Sequence, residues 1–449
     1  MRVGMDAPPA NWLSATDAAR AIREGVISAE ELTERCLARV REVDGEVQAW
    51  AFLDPAHALS QARACDAARR EGQAIGALHG IPVGIKDIID TGDMPTEDGT
   101  ALHAGRAPAH DAAVVAMLRA AGAVIMGKTV TTELATLSPG KTRNPQDPRH
   151  TPGGSSSGSA AAVAAGMVPL AVGTQTNGSV IRPAAFCGVF GFKPTFGLIP
   201  RSGVLKVSRT LDQVGVFART LADVALIAEQ LVGHDVLDPD TTPRARMPLV
   251  ATAAEEPPLP PVLAYVEGPV WDRASDDTRQ AFAELVDTLG DCVVRIDLPP
   301  VANQALDWHK TIMEAEMAAS LDREWEKGRD RISPELRDQL ARGRATSAFD
   351  YLSARARIPL LNAGFSSIFE RCDAIITPAT PGTAPEGLES TGDPAFCTLW
   401  SLCGMPALTL PLMTGDNGLP LGVQMVGQRG DDARLLRTAR WLEARVETN

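Results

Sequence analysis

The sequence predicts an α/β fold in which a large mixed β-sheet is covered by helices on both faces. Three observations support this prediction. Apolar strand patterns alternate with helical patterns along most of the chain. Two of the helix–strand pairs are joined through a glycine, Gly122 and Gly166. The chain has 449 residues, 45% of them hydrophobic, which is enough material for a substantial core.

The N-terminal elements can be assigned in order. Residues 14–72 predict two amphipathic surface helices that begin after Ser14 and Ser28, and Glu31 completes a capping box with Ser28. Residues 79–92 contain a short apolar strand bounded by Gly and Pro. Residues 111–129 predict a helix, Gly122 and a strand, which is half of a βαβ unit, and the pattern repeats around Gly166.

The later elements continue the alternation. Residues 262–299 predict strand, helix and strand, after a proline-rich surface loop at 255–261. Residues 303–371 are helical and polar, and they predict either a lid or a covering layer. Further strands are predicted in "CDAIITPATP" and "ALTLPL". We find no internal repeat and no clean linker, so we expect one domain.

Composition restricts the classes of partner. The formal net charge of −13 disfavours a nucleic-acid partner. The seven scattered cysteines form no C-x-x-C pair and do not predict a disulfide framework. Residues 1–15 lack the apolar segment of a signal peptide. The longest apolar stretch, residues 160–173, is too short to span a bilayer. We therefore expect a cytoplasmic monomer or homodimer without a membrane partner.

The segment 151–181, "TPGGSSSGSAAAVAAGMVPLAVGTQTNGSVI", has no charged residue and no histidine. A flexible linker is one interpretation, but its glycines lead directly into a helix and a strand of small residues. "GSSSG" also matches a nucleophile elbow centred on Ser156, which needs a preceding strand that "TRNPQDPRHTPG" cannot form. The elbow's histidine candidates, His234 and His309, lie in segments without a special local pattern. No lysine follows the glycines as a phosphate-binding loop requires.

Lys86 lies in the apolar segment "GIPVGIKDIID". Burial would lower the pKa of its amine, and a neutral lysine can act as a general base. A surface pair with Asp87, or a lysine at the end of a strand, is the alternative interpretation. From this segment alone, that structural interpretation is favoured over the general base.

Three motifs together resemble the amidase signature family: "GIPVGIKD", "TPGGSSSGS" and "GTQTNGSVIRPAAFCGVFGFKPTFG". The similarity extends over most of residues 14–440, and it is poor between about 235 and 370. In that family, a lysine and two serines form a Ser–cisSer–Lys triad. Carried over to this chain, the resemblance implies that Lys86, Ser155 and Ser179 are catalytic and that the Gly154–Ser155 peptide is cis.

The resemblance also implies a mechanism. Ser179 is the expected nucleophile, Ser155 passes its proton, and neutral Lys86 receives it. Backbone N–H groups of Thr176, Asn177, Gly178 and Ser179 are expected to form the oxyanion hole. Asn177 replaces the usual glycine, so its side chain is expected to narrow the floor of the pocket. Ser156, Ser157 and Ser159 are expected to cap the following helix. Cys187 and Lys193 are expected to be structural.

The substrate-binding residues are expected to be Arg182, Gly154 and Gln175. Gln175 replaces the family's common Asp, and Ile181 replaces its common Arg, with Arg182 one position later. This form resembles malonamidase-like enzymes, in which the matching Arg contacts a substrate carboxylate. Arg182 could equally be a structural residue that anchors the loop. Because the "D-T-G-G-S-I-R" form of the A-type chains of tRNA-dependent amidotransferases is absent, we expect a stand-alone hydrolase.

The resulting prediction is an amidase-signature hydrolase of carbon–nitrogen bonds in small-molecule amides or carbamates, and possible substrates include esters. No metal and no cofactor are expected. The alternatives are an A-type subunit of a tRNA-dependent amidotransferase and a non-catalytic small-molecule binder. We divide the single domain of 1–449 into N-terminal helices (1–75), a catalytic core (76–234), a variable pocket or lid region (235–370) and C-terminal strands with a helix (371–449).

Overall fold

The computed structural model of the chain describes residues 12–447. Within this range, eleven strands form one continuous sheet. The strands are β1 (Trp50–Leu53), β2 (Pro82–Lys86), β3 (Val124–Thr129), β4 (Leu170–Gln175), β5 (Phe190–Lys193), β6 (Gln213–Ala218), β7 (Leu263–Tyr265), β8 (Val293–Arg295), β9 (Ala374–Pro378), β10 (Ala407–Thr414) and β11 (Pro420–Val426).

Fifteen α-helices accompany the sheet in the same range. They are α1 (Ala15–Glu24), α2 (Ala29–Val47), α3 (Pro55–Arg70), α4 (Ala113–Ala120), α5 (Ser157–Ala164), α6 (Ile181–Cys187), α7 (Leu221–Leu231), α8 (Leu249–Ala254), α9 (Asp276–Leu289), α10 (Ala305–Ser320), α11 (Asp322–Gly328), α12 (Pro334–Ala345), α13 (Ala348–Phe369), α14 (Ala395–Leu402) and α15 (Asp432–Glu447).

The sheet is mixed, as the sequence predicts. Its strand order is β1-β3-β2-β4-β6-β5-β10-β11-β9-β7-β8. At the centre, β2 runs parallel to both β3 and β4, while β4 pairs antiparallel with β6. Because β2 and β4 are parallel neighbours, the segments that leave their carboxyl ends emerge at the same edge of the sheet.

Helices cover both faces of the sheet, which confirms the predicted architecture. Successive strand residues pack into two different hydrophobic clusters: Ile376 joins one and Ile375 the other, and Met425 and Val426 divide in the same way. This alternation is the two-residue period of a strand with apolar neighbours on both sides. The second cluster includes residues of α10, α13 and α14.

Most of the predicted elements are present. Ser14 and Ser28 accept hydrogen bonds from the third residue after each of them, at the starts of α1 and α2. The predicted helix–glycine–strand units are α4–β3 around Gly122 and α5–β4 around Gly166. Residues 303–371 contain α10–α13, as expected for a helical layer. The sequence did not predict α3 as a separate helix or β6 as a strand.

Two further observations concern the membrane and the N-terminus. None of the helices in residues 12–447 combines the length and hydrophobicity that a bilayer crossing requires. Residues 1–11 lie outside the described residues, so the prediction that no signal peptide is present is not tested there.

Candidate active site

Three segments bring the predicted catalytic residues to one edge of the sheet. Lys86 is the last residue of β2, Ser155 lies two residues before α5, and Ser179 lies in the loop between β4 and α6. The parallel pairing of β2 with β4 places the ends of these two strands side by side. Lys86, Ser155 and Ser179 are all buried. The fold therefore gathers residues that lie up to 93 positions apart in the chain.

Lys86 is completely buried, and its Nζ lies 2.7 Å from Ser155 Oγ and 2.8 Å from Thr174 Oγ1. Burial lowers the pKa of Lys86 well below its usual range, and the Asp212 carboxylate opposes this effect. A neutral amine has one lone pair and two N–H groups. It can therefore donate to Thr174 and accept the proton of Ser155, which is the arrangement that a general base needs.

The Gly154–Ser155 peptide is cis, as the resemblance implies. Protein groups bond the carbonyls of both residues: Arg182 Nη2 donates to Gly154 O at 2.8 Å, and Thr132 N donates to Ser155 O at 3.3 Å. A Cβ on Gly154 would approach Thr391 Cγ2 to 2.7 Å. The space therefore favours glycine at this position.

Ser179 is the third residue of the predicted triad, and its hydroxyl is not hydrogen-bonded to Ser155 in the structure. Its relative exposure is 9%, so the residue is buried. Among residues 12–447, Lys86 Nζ bonds Ser155 Oγ, but no hydrogen bond joins Ser155 Oγ to Ser179 Oγ. The structure thus forms the Lys86–Ser155 link, and the link to Ser179 stays a prediction.

The loop 176–179 has bonded carbonyls and unbonded N–H groups. Its carbonyls at 176–178 are all bonded within the protein: His309 Nε2 donates to Thr176 O at 3.0 Å, Ser401 Oγ donates to Asn177 O, and Arg182 N donates to Gly178 O at 2.9 Å. Within the described chain, the N–H groups of residues 177–179 make no hydrogen bond. Free backbone N–H groups beside a serine hydroxyl are the donors that an oxyanion hole requires.

Asp212 and a cavity lie on the lysine side of this arrangement. Asp212 accepts a hydrogen bond from Thr176 Oγ1 at 2.6 Å, and burial raises its pKa to about 6. It lines a cavity of about 300 Å³ together with Thr174, Thr176 and Arg201. Ser155 and Ser179 do not line this cavity. The cavity therefore reaches Thr174, which bonds Lys86, and does not reach Ser179, where an acyl group would form.

The polar atoms of the Gln175 side chain are bonded within the protein, and its predicted role in substrate binding stays a prediction. The residue is 1% exposed. Its Oε1 accepts from Val180 N at 2.8 Å and Ile181 N at 3.0 Å, and its Nε2 donates to Ser401 Oγ at 2.9 Å. The side chain thus links the start of the loop to its end and to Ser401. A carboxylate at this position could only accept, whereas the amide of glutamine can donate as well as accept.

Arg182 also has a structural arrangement. It is 4% exposed, and its Nη2 donates to Gly154 O at 2.8 Å and to Thr391 Oγ1 at 3.0 Å. Burial lowers its pKa to about 10. The bonds of Nη2 are those of an anchor, whereas Nε and Nη1 are buried and have no hydrogen-bond partner among the described residues, so both interpretations of Arg182 stay open. Arg182 occupies one of the two acceptor positions of the Gly154 carbonyl, and the predicted role of Gly154 in substrate binding stays a prediction.

The serines after Ser155 do not cap α5, contrary to expectation. Ser156 Oγ donates to Thr174 O at 3.1 Å and accepts from Thr174 N at 3.2 Å. Ser157 Oγ donates to Val130 O, and Ser159 Oγ donates to Val172 O. These hydroxyls bond the backbone of neighbouring strands and chain segments, because α5 packs directly on the sheet and all three serines are buried.

Cys187 and Lys193 are both buried, as expected of structural residues. Lys193 Nζ donates to Gln213 Oε1 at 2.9 Å and to Met405 O. Burial lowers the pKa of Lys193 to about 7. Cys187 Sγ donates to Pro152 O at 3.5 Å.

Sequence reasoning did not assign four residues that contact the site: Thr174, Asp212, His309 and Ser401. Thr174 had a readable signal, since it is a polar residue in the otherwise apolar run "PLAVGT". The other three reach the loop from positions 36 to 224 residues away, and no local pattern marks them. In residues 12–447, no group of three or more His, Cys, Asp or Glu side chains is arranged to hold a metal ion.

The fold and the site together define an enzyme of the amidase class. The family model described as Amidase matches residues 31–436, and the chain belongs to this family. The enzyme acts on carbon–nitrogen bonds.

Three similar proteins illustrate the range of the family. The chain is 36% identical over 468 residues to the A-type subunit of the glutamyl-tRNA(Gln) amidotransferase of Chloroflexus aggregans (strain MD-66 / DSM 9485), with 95% of each chain covered. A solved structure described as a vestigial protein complex that reveals the origins of an s-triazine catabolic enzyme superposes with a TM-score of 0.90 at 28% identity, covering 96% and 98% of the two chains. The structure of native peptide amidase from Stenotrophomonas maltophilia superposes with a TM-score of 0.86 at 29% identity, covering 98% of each chain.

These similarities bear on the two enzymatic alternatives. The relatives include A-type chains of amidotransferases from several bacteria, each covered over almost its whole length. They support the amidotransferase alternative more strongly than the stand-alone hydrolase that the sequence motif favours. The peptide amidase structure shows that the same fold also occurs in a hydrolase.

Proposed function

We propose that the chain cleaves a carboxamide through an acyl-enzyme on Ser179, with Ser155 as the proton relay and Lys86 as the base. The observation that carries this proposal is the buried Lys86 Nζ, 2.7 Å from Ser155 Oγ. A serine hydroxyl is a weak nucleophile until a base accepts its proton, and a neutral lysine is suited to that role.

Protons and bonds balance at each step. Ser179 gives its proton to Ser155 Oγ while Ser155 passes its own proton to Lys86 Nζ, and Ser179 Oγ attacks the carbonyl carbon. The N–H groups of residues 177–179 bind the resulting oxyanion. The carbon–nitrogen bond then breaks as the nitrogen takes the proton back from Lys86 through Ser155. Water attacks the acyl-Ser179 ester by the same route and releases the carboxylic acid.

The relatives favour a function as the A-type subunit of an amidotransferase, in which the released ammonia is passed to a partner. In that setting, the tRNA is the partner's substrate, and the acidic charge of −13 argues against direct contact of this chain with nucleic acid. A stand-alone amidase is the second candidate. Gln175 and Asn177 support it, because they depart from the amidotransferase form of the loop. Carbamates have the same reacting carbonyl and belong to the same proposal.

The experiment separates the candidates in one set of measurements. The purified chain is assayed alone for ammonia, aniline or phenol release from glutamine, other primary amides, nitroanilides and aryl carbamates. A fluorophosphonate probe is applied in parallel to the wild type and to Ser179→Ala.

Each outcome has a distinct meaning. Turnover without partners supports the stand-alone amidase and disposes of the non-catalytic binder. Labelling at Ser179 without turnover supports the subunit that needs partners. Labelling that persists in Ser179→Ala, for example at Ser156, contradicts the assignment of the nucleophile.

A further inference from the structure

The hydrogen bonds of the loop 176–179 have a consequence for catalysis beyond the triad. In a trans peptide, the C=O of one residue and the N–H of the next lie in one plane and point in opposite directions. Gly154–Ser155 is the one cis peptide in residues 12–447, so the loop peptides are trans. A group that bonds a loop carbonyl therefore also fixes the direction of the following N–H.

The three loop carbonyls are bonded by donors from three different parts of the chain. His309 of α10 bonds Thr176 O, Ser401 of α14 bonds Asn177 O, and Arg182 N bonds Gly178 O as part of the first turn of α6. The following N–H groups are those of residues 177, 178 and 179, and they are the groups without a partner in the described chain. The last donor is a backbone group, whereas the first two are side chains.

We propose that His309 and Ser401 are positioning residues that aim the N–H groups of Asn177 and Gly178 at the oxyanion. The inference rests on the proposed function, because it presumes that an oxyanion forms beside Ser179.

The chemistry of both side chains suits this role. A carbonyl oxygen only accepts, so His309 Nε2 carries the hydrogen, and the neutral ring has the correct tautomer. His309 is 1% exposed, and it therefore meets no competing water. Ser401 is also 1% exposed, and it accepts from Gln175 Nε2 at 2.9 Å, which directs its own hydrogen to Asn177 O.

The side chain of Asn177 is also bonded to α14. Its Oδ1 accepts from Thr398 Oγ1 at 2.8 Å, so the residue that replaces the usual glycine is bonded to α14 at both its backbone and its side chain. Gly178 packs closely against the start of α14, because a Cβ placed on it would lie only 2.9 Å from Pro394 Cβ. The loop is therefore oriented by α10 and α14, and not by its own sequence alone.

The test uses His309→Leu and Ser401→Ala, with His309→Gln and Ser401→Thr as variants that retain a donor. His79→Leu and Ser366→Ala are matched controls. His79 Nε2 bonds Cys65 O at 2.9 Å and Ser366 Oγ donates to Asn362 O at 3.1 Å, so each is a similar bond away from the loop. Losing an oxyanion donor outright lowers kcat about 100- to 1,000-fold, so a misdirected one is expected to lower it about 10- to 100-fold.

Two readouts distinguish positioning from general stability. The first is inhibition by a trifluoromethyl ketone that forms the tetrahedral adduct, compared with inhibition by the product carboxylate. We expect adduct affinity to fall by the same factor as kcat/KM, carboxylate affinity to stay unchanged, and the donor-retaining variants to recover most of the loss. Equal losses in the controls, or parallel losses of both affinities, would overturn the proposal.

The second readout does not depend on turnover. Hydrogen exchange of a peptide covering 174–182 is expected to be faster in His309→Leu and Ser401→Ala than in the two controls. Unchanged exchange overturns the proposal even in an active enzyme. If exchange accelerates while Ser179 is neither labelled nor required, the positioning contacts are real and the proposed function has failed.

Discussion

Replacing Arg182 by leucine tests whether this buried cation anchors the loop or binds substrate. The anchor interpretation follows from the bonds of Nη2 to Gly154 O and Thr391 Oγ1. Loss of both bonds releases the peptide that carries Ser155. We expect kcat to fall for every substrate, with anionic and neutral substrates affected to the same extent.

The effect on stability can be worked from the contacts. Two charge-assisted hydrogen bonds contribute about 3–6 kcal/mol before the cost of burial is considered. Burial lowers the pKa of Arg182 to about 10, and a depression of that size corresponds to a penalty of roughly 3 kcal/mol on the cation. Leucine removes both contributions, so these two terms together lower the free energy of unfolding by up to about 3 kcal/mol, and the acceptors left without a donor add to this loss.

The assay compares kcat/KM for a half-amide of a dicarboxylic acid and for its neutral analogue, in the wild type and in Arg182→Leu. Thermal unfolding of both proteins is measured alongside. A uniform loss of activity with a lowered Tm supports the anchor. A loss of ten- to a hundredfold confined to the anionic substrate, which is the worth of about 1.5–3 kcal/mol in one charge-assisted contact, refutes it.

Two further predictions concern the base and its surroundings, and a third concerns the backbone at Ala135. Lys86→Ala is expected to lose far more activity on amides than on activated esters, because ester leaving groups need less protonation; equal losses would make Lys86 structural. In the wild type, kcat/KM is expected to rise with pH as neutral Lys86 forms. Since the Asp212 carboxylate raises the pKa of Lys86, Asp212→Asn should move this rise to lower pH, and a move to higher pH would contradict the assigned pairing. Ala135 has a φ of 59°, so Ala135→Gly should stabilise the protein by roughly 0.5–1 kcal/mol in chemical denaturation; an equal destabilisation would show that the methyl group packs usefully.

Much of the fold could be predicted because its signals are local. Ser14 and Ser28 are the N-cap residues of α1 and α2, and Gly122 lies in the turn between α4 and β3. The catalytic candidates Lys86 and Ser155 were identified by motif, and the structure places them in contact.

The remaining features depend on contacts between distant parts of the chain. Gln175 was assigned to substrate from its place in the motif, but its side chain bonds Ser401 and the backbone of 180–181. The roles of His309 and Ser401 rest on contacts across 133 and 224 residues. A sequence pattern cannot reveal such contacts, because only the assembled sheet and its covering helices bring the partners together.

The participation of α10 and α14 in the loop limits how far the protein could be reduced in size. A fragment ending at residue 234 would retain Lys86, Ser155 and Ser179, yet it would lose the donors to Thr176 O and Asn177 O. It would also expose the edge of β5 that pairs with β10. Such a fragment would keep the reactive groups without a directed oxyanion site. Under the proposed role of His309, substitutions in residues 235–370, the predicted pocket or lid region, must keep an N–H donor at this position, or a change intended to alter selectivity will also alter the rate of the chemical step.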